Sequence, residues 1–148
     1  MNLNRDLLQA IKVIKESKHL TAFTGAGISV ESGIPPFRGT NGIWNKYDPD
    51  LLELNRFFQN PEKSWLFIKE IFYNFFSDAE PNPAHLLLSN LEEKKILKSV
   101  ITQNIDHLHQ KAGSKNVIEF HGGSGQLICI SCGKKTPALA EKLIKIPP

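Results

Sequence analysis

The chain has 148 residues, of which 41% are hydrophobic and 22% are charged, as expected for one globular domain or part of one. Its net charge of +3 comes from lysines scattered along the sequence, so direct binding of nucleic acid is not expected. Charges interrupt residues 1–18 every few positions and no later run is long enough to span a membrane, which predicts a cytoplasmic protein without membrane contact.

An amphipathic helix is predicted first, from four apolar residues at helical spacing: Leu7, Leu8, Ile11 and Ile14. The short, β-prone run "HLTAFT" (19–24) then predicts a strand, which stops at Gly25. A glycine-rich segment, "GAGISVESGIPPFRG", therefore begins where a strand ends.

Two helices with similar starts are predicted next. Asn60 and Asn82 are each followed by proline, and asparagine as the N-cap with proline in the first turn is a typical helix start. The first of these helices has one apolar face, expected to pack in the core or to form the wall of a groove: Trp65, Ile68, Phe72, Phe75 and Phe76.

Two further strands, "KSVITQ" (98–103) and "NVIEFH" (116–121), flank the short predicted helix "IDHLHQKA" (105–112), which Gly113 ends. This alternation predicts an α/β fold, a Rossmann-like parallel sheet with helices on both faces. Ligands of such sheets bind beyond the carboxyl ends of the strands. Polar clusters follow three strands, namely "GAGIS", "TQNIDH" and "HGG", and we expect them to converge on one site.

The first cluster could form a phosphate-binding turn. Backbone amides of Gly25, Ala26 and Gly27 follow a strand, from where they could approach a pyrophosphate. A plain strand-to-helix turn is the alternative, because Val30 occupies the place of the third glycine in a standard dinucleotide-binding motif. The hydroxyl of Ser29 beside the turn favours a ligand.

A cation and an aromatic ring end the glycine-rich segment. Arg38 follows the rigid residues 34–36, and its planar guanidinium could hold a phosphate through two hydrogen bonds. Phe37 beside it offers a flat apolar face. Both features favour a nucleotide ligand over a plain turn.

The second and third clusters supply amide, carboxylate and imidazole groups. Gln103, Asn104 and Asp106 could all face one space, although either of the last two could simply cap the following helix. His121 ends the third strand, where a structural histidine is the alternative to a general base. His107 and His109 are expected to serve packing or the surface.

The cysteines Cys129 and Cys132 form a Cys-x-x-Cys knuckle in "CISCGKK". A redox pair is the alternative to a metal site, but redox motifs of this kind open a helix, whereas the residues here indicate a small ribbon. Two thiolates make half of a structural zinc site. The small residues of "GGSGQ" (122–126) predict a flexible connection between this ribbon and the sheet.

Four motifs in this order resemble the sirtuin family of NAD-dependent protein lysine deacylases: "GAGISVESGIPPFRG", "TQNIDHLH", "FHGG" and "CISCG". The resemblance implies that the glycine-rich segment, with Gly25, Gly27 and Ser29, cradles the NAD pyrophosphate. It implies that Phe37 and Arg38 lie near the nicotinamide ribose.

Further roles are implied by the same resemblance. Ala26, Gln103, Asn104, Ile105 and Asp106 would line the ribose and nicotinamide pocket. His121 would be the catalytic base that deprotonates a ribose hydroxyl after the acyl-lysine oxygen has attacked the ribose carbon. Cys129 and Cys132 would hold a structural zinc ion. An acyl-lysine protein or peptide is the implied partner, and nicotinamide and O-acyl-ADP-ribose are the implied products.

The family pattern also implies a division into an NAD-binding part (1–124) and an incomplete zinc-ribbon module (125–148). Pro36 stands where many members have aspartate, which implies a stiffer loop. Because the family core continues past a second cysteine pair, the chain is expected to be truncated and inactive by itself. An inactive NAD-binding or interaction module and a mono-ADP-ribosyltransferase are the alternative functions.

Overall fold

The computed structural model describes residues 3–76 and 78–138. Its helices are α1 (Leu3–Glu16), α2 (Leu54–Gln59), α3 (Pro61–Ile68), α4 (Asn74–Phe76), α5 (Pro83–Glu93) and α6 (Leu108–Lys111), with 3-10 helices at Ala26–Ser32, Ile43–Asn45 and Pro49–Leu52 and a π-helical turn at Lys69–Tyr73. Its strands are β1 (Leu20–Thr24), β2 (Leu97–Thr102), β3 (Val117–Glu119), β4 (Gln126–Ile128) and β5 (Lys135–Pro137). Among the described residues, none of these helices has both the length and the apolar character that crossing a bilayer requires.

A parallel sheet organises the fold, with β2 between β1 and β3. Thr24 pairs with Thr102, and Thr102 pairs with Glu119, so the carboxyl ends of the three strands are level. The prediction of a parallel α/β sheet is therefore confirmed. The level ends bring the turns that follow these strands to one edge of the sheet.

Helices cover the two faces of the sheet unequally. Helix α5 packs against β2, and His109 of α6 hydrogen-bonds to Thr24 with an Nε2 to Oγ1 distance of 2.8 Å. The opposite face carries Phe23 and Ile118, which share a row across the sheet and are 65% and 50% exposed. Helices of the described residues therefore cover mainly the face to which Thr24 belongs.

Both predicted asparagine caps are present. The side chain of Asn60 accepts a hydrogen bond from the amide of Lys63. Asn82 accepts from the amides of Ala84 and His85, and its Nδ2 donates to the Ile28 carbonyl at 2.6 Å. Asn82 therefore joins the start of α5 to the 3-10 helix that follows β1, whereas Asn60 serves its own helix.

Two predicted helices are shorter or less regular than the sequence indicates. The helix that starts at Pro61 is regular only to Ile68 and then passes through the π-helical turn. The side chain of Phe75 lies outside the described part of the structure. The helix predicted over 105–112 begins at Leu108, because His107 takes a φ of 61°, which an α-helix does not allow.

The apolar core lies between the glycine-rich segment and the helices. One cluster holds Ile34, Ala79 and Leu108, with Phe76 packed against it. A second cluster has Ile43, Phe67 and Ile71 at its centre and adds, among others, Phe37 and Phe72. The aromatic residues of α3, the π-helical turn and α4 thus pack directly against the segment that follows β1.

We expect Asn82→Ala to destabilise the protein more than the matched change Asn60→Ala. Loss of either cap should cost about 1 kcal/mol, and Asn82, which is 6% exposed, also loses its donor contact to Ile28. The total for Asn82 should reach about 2–3 kcal/mol. Urea unfolding midpoints of both variants measure the difference, and equal losses would show that the contact with the 3-10 helix adds no stability.

Candidate functional site

A cavity of about 230 Å³ lies at the carboxyl edge of the sheet. Its polar lining comes from the turns after all three strands: Ser29, Gln103, Asn104, Asp106 and His121. Its remaining lining is mainly apolar: Ala26, Ile34, Pro35, Phe37, Ile43, Phe72, Phe76 and Ile105. The three polar clusters of the sequence therefore meet around one space.

A hydrogen-bonded triad of side chains forms the polar end of this cavity. Ser29 is 1% exposed and its Oγ donates to Asp106 Oδ2 at 2.7 Å. The Nδ2 of Asn104 donates to the same Ser29 Oγ at 3.1 Å and to the Gly25 carbonyl at 3.1 Å. The serine hydroxyl therefore accepts from the amide and donates to the carboxylate, which fixes all three groups.

The strand ends set the position of this triad. The amide of Gln103 donates to the Thr24 carbonyl, which extends the sheet ladder by one bond past the end of β2. The amide of Asn104 then donates to Thr102 Oγ1 at 3.0 Å and turns the chain. The side chain of Asn104 is thereby aimed back toward the turn after β1.

The carboxylate of Asp106 also begins the short helix. Its Oδ1 accepts from the amide of Leu108 at 3.0 Å while its Oδ2 accepts from Ser29. The capping interpretation and the cavity interpretation of Asp106 therefore hold at the same time. Each oxygen serves a different element, so the carboxylate is held in one orientation.

The glycine-rich turn has free space over its backbone. A Cβ built on Gly25 or Gly27 would meet no atom within 4 Å. A 3-10 helix of 7 residues follows this turn. It ends at Gly33, which has a φ of 87°. The chain then enters the rigid segment with Ile34 and Pro35, which line the cavity.

Aromatic rings build the apolar wall. Phe37 stacks on Trp44 with ring centroids 5.3 Å apart, and Phe72 lies 5.9 Å from Phe76. The amide of Ile43 donates to the Pro36 carbonyl at 2.8 Å, so the loop folds back and brings Ile43 into the wall. Phe72 and Phe76 fit the predicted groove wall, whereas no sequence signal pointed to Ile34 or Ile43.

Arg38 lies apart from the cavity lining. Its side chain is exposed and has no hydrogen bond or ion pair with any described residue. Gly25 and Gly27 also do not line the cavity, although Gly25 is bound to Asn104. The predicted ligand roles of these three residues stay predictions.

His121 lies on an exposed turn at the end of β3. The amide of Gly122 donates to the Glu119 carbonyl at 3.1 Å, which closes this turn, and the His121 ring packs edge-on against Phe120 at 5.2 Å. No hydrogen bond engages the His121 ring among the described residues. An imidazole with free nitrogens at the cavity is chemically able to accept a proton.

Two buried histidines lie behind the polar triad. His85 and His109 are 0% and 1% exposed, and their ring centroids are 4.8 Å apart. Burial lowers the pKa of both imidazoles, and the nearby Asp106 carboxylate opposes this shift only in part. His109 was expected to serve packing or the surface, and it packs.

The cysteine knuckle forms a separate hairpin. Strands β4 and β5 pair antiparallel, and Cys129 and Cys132 are free and exposed in the turn between them. Backbone hydrogen bonds from Cys132 and then Ser131 lower the pKa of the Cys129 thiol. The structure thus shows a two-stranded hairpin at the knuckle, and the described residues contain no group of three or more potential metal ligands, so the zinc-ribbon module stays a prediction.

Comparisons with known proteins agree on one family. The sequence profile of the Sir2 family matches residues 25–145. The chain is 49% identical over 128 residues to NAD-dependent protein deacylase 2 of Archaeoglobus fulgidus, which covers 86% of the chain and 50% of that protein. It is 48% identical over 125 residues to the NAD-dependent protein deacetylase of Thermotoga maritima, covering 84% and 50%.

The solved structures that are similar to this chain are also Sir2 proteins. A Sir2 variant with a deacetylated p53 peptide and 3′-O-acetyl-ADP-ribose matches with a TM-score of 0.83 and 45% identity, over 88% of this chain and 53% of that one. An ADP-ribose complex of a Sir2 homologue matches with a TM-score of 0.86 and 45% identity, over 95% and 55%. The chain thus spans about half the length of the relatives it matches.

Acid should destabilise the protein through the buried histidine pair. Because the folded-state pKa of His85 and His109 is lowered, the unfolded chain binds more protons below about pH 6.5. The contribution of this pair to the free energy of unfolding should therefore be constant above pH 7 and fall by about 1 kcal/mol per pH unit per histidine toward pH 5. Urea unfolding over this range measures the slope.

The variant His85→Gln should reduce that slope. Glutamine at this position can still accept from the Asn82 amide, as in a capping box, but does not titrate. The exposed His19 provides the matched control, because His19→Gln should leave the slope unchanged. If His85→Gln does not reduce the slope, the loss of stability in acid cannot be assigned to the buried histidine pair.

Proposed function

The chain belongs to the Sir2 family, and we propose that it supplies the NAD-binding part and the catalytic base of an NAD-dependent protein lysine deacylase. One observation supports this proposal most: the triad of Ser29, Asn104 and Asp106 lines the same cavity as His121. The names of the relatives point to the same activity.

The residues at the carboxyl edge fit NAD. The open space over Gly25 and Gly27 leaves their backbone accessible to a diphosphate. Beside it, the cavity offers a flat aromatic face on Phe37 and the polar side chains of Asn104 and Asp106, to hold a nicotinamide and its ribose. When bound, NAD supplies a bond between ribose and nicotinamide that can be cleaved.

The chain's own groups then have separate tasks. Asn104 and Asp106 orient the ligand, because their side chains are fixed by Ser29 and need no rearrangement. The apolar wall of Phe37 and Phe72 excludes water from the reacting carbon. His121 takes a proton at a ring nitrogen and can pass it to solvent, because its ring is exposed.

Arg38 is proposed to meet the ligand from outside the cavity. Its guanidinium is exposed and unpaired among the described residues, so no ion pair has to break before it holds a phosphate.

The substrate is proposed to be an acyl-lysine in a protein or peptide. Peptide complexes among the similar structures support this class of partner.

We also propose that Cys129 and Cys132 hold half of a structural zinc site. The donor chemistry fits, because backbone amides already stabilise negative charge on the Cys129 sulfur, as a bound thiolate requires. Tetrahedral zinc needs two more ligands than this hairpin provides. Those ligands must come from outside the described residues.

The deacylase proposal can be tested in a chimera that joins this chain to the part of Archaeoglobus fulgidus deacylase 2 that it does not cover. We expect nicotinamide release from NAD that depends on an acetyl-lysine peptide. His121→Ala should lower this rate at least about a hundredfold, as loss of a general base does. His19→Ala, at the other end of β1, is the matched control and should change the rate little.

Mass spectrometry of the products distinguishes the alternatives. O-acetyl-ADP-ribose supports deacylation, and ADP-ribose attached to protein would instead show a transferase. A chimera that folds and binds NAD but releases no nicotinamide with the peptide would contradict the proposal, provided that the relative itself is active under the same conditions.

The zinc proposal predicts cobalt binding through both sulfurs. Titration of the chain with Co²⁺ should produce the absorption of thiolate-to-cobalt charge transfer, and Cys129→Ser or Cys132→Ser should remove most of it. Ser131→Ala, between the two cysteines, is the control and should leave the band intact. Binding of Co²⁺ without this band, or with an affinity that neither cysteine change lowers, would exclude the knuckle as the metal site.

A further inference from the structure

The side chain of His107 occupies an unusual position beside the loop that carries His121. His107 has a φ of 61°, in the left-handed region that residues other than glycine rarely adopt. Its ring is partly buried, and Nε2 has no hydrogen-bond partner among the described residues. A strained backbone and an unbonded buried nitrogen persist only where other contacts compensate for them.

Those contacts are with the loop at 122–125. A Cβ on Gly123 would lie 2.6 Å from His107 Cε1, and a Cβ on Gly125 would lie 2.8 Å from His107 Nε2. A side chain at either position would therefore force the ring or the loop to move. The glycines predicted to make this connection flexible are therefore needed for close packing on His107.

Hydrogen bonds hold the same loop from its other side. Ser124 donates through its amide and its Oγ to the Ile105 carbonyl, at 3.2 and 2.6 Å. The hydroxyl of Tyr73 donates to the Ser124 carbonyl at 3.0 Å. The expectation of a loose connection is thus wrong, because the loop is bonded to the turn after β2 and to the π-helical turn.

A close polar contact connects the His107 ring to the end of β3. Nδ1 lies 2.9 Å from Glu119 Oε1, which also accepts from Gln110 Nε2 at 2.9 Å. Glu119 begins the turn that Gly122 closes, and His121 lies inside this turn. His107 therefore contacts the loop both before and after His121.

We propose that His107 is a positioning residue for His121. Its ring fixes the Glu119 carboxylate on one side and the Gly123–Gly125 backbone on the other, so that the imidazole of His121 keeps its place relative to the triad. His107 itself does not line the cavity. We call these contacts of His107 the clamp. The role of the clamp in catalysis rests on the proposed function, whereas its effect on the loop can be tested without measuring activity.

The clamp is tested first in the 148-residue chain by NMR. His107→Gly should speed amide exchange of Ser124 at least about tenfold by opening the loop locally, and should shift and broaden the His121 ring resonances. His107→Asn, which tolerates a positive φ and keeps a donor for Glu119, should restore much of the protection. Unchanged Ser124 exchange and His121 resonances in His107→Gly would overturn the proposal.

A double-mutant cycle identifies the contact. Gly125→Ala should open the loop in the presence of His107, because the three atoms nearest to the new Cβ all belong to the His107 ring. In the His107→Gly background the same change should add little, since the ring is absent. Additive effects of the two changes would show that the ring and the loop are not coupled, and would likewise overturn the proposal.

The consequence for catalysis is measured in the chimera. His107→Gly should lower kcat about tenfold to a hundredfold, as misplacement of a reacting group does, and leave KM for NAD within about twofold, because no cavity residue is altered. An unchanged kcat would overturn the positioning role. If the unaltered chimera has no turnover, the deacylase proposal fails, and the NMR measurements still decide whether His107 positions His121.

Discussion

The register of the parallel sheet is the constraint on which the site depends. Thr24, Thr102 and Glu119 lie level across three strands, so the turns that follow them must share one edge. Every polar residue of the cavity lining follows Thr24, Thr102 or Glu119 within a few positions of the sequence. If the register of one strand shifted by one residue, the turn that follows this strand would move, and the side chains of the strand would change to the opposite face of the sheet. The burial of Val100 and Thr102 in the central strand opposes such a shift.

Several polar residues at this edge serve two elements at once. Asp106 starts a helix with one oxygen and holds Ser29 with the other. Asn82 caps α5 and bonds to the 3-10 helix after β1. Because each side chain joins two segments, helix starts and cavity walls are positioned by the same hydrogen bonds. These hydrogen-bonded side chains are consequently in place before any ligand arrives, which favours orientation of a bound group.

Features with local causes could be predicted from the sequence. The strands, the caps Asn60 and Asn82 and the polar clusters at the strand ends depend on neighbouring residues and on strand direction alone. The wall formed by Ile34 and Ile43 could not, because it depends on a loop that folds back through the Ile43 to Pro36 backbone bond. The order of the loop after His121 was also missed, since glycine permits flexibility and close packing equally.

The π-helical turn at Lys69–Tyr73 has a consequence for comparing this helix with that of other proteins. A π-helical turn holds one residue more than the α-helical turn it replaces. Deleting one residue there would let the turn close as a regular α-helical turn, while the residues beyond it kept nearly the same orientation around the helix axis. Phe76 would then stay in the cavity wall, and Phe67, before the turn, would stay in the core. Relatives with a regular helix in this region should therefore align with a gap of one residue, and a gapless alignment would assign the wrong side chain to the wall.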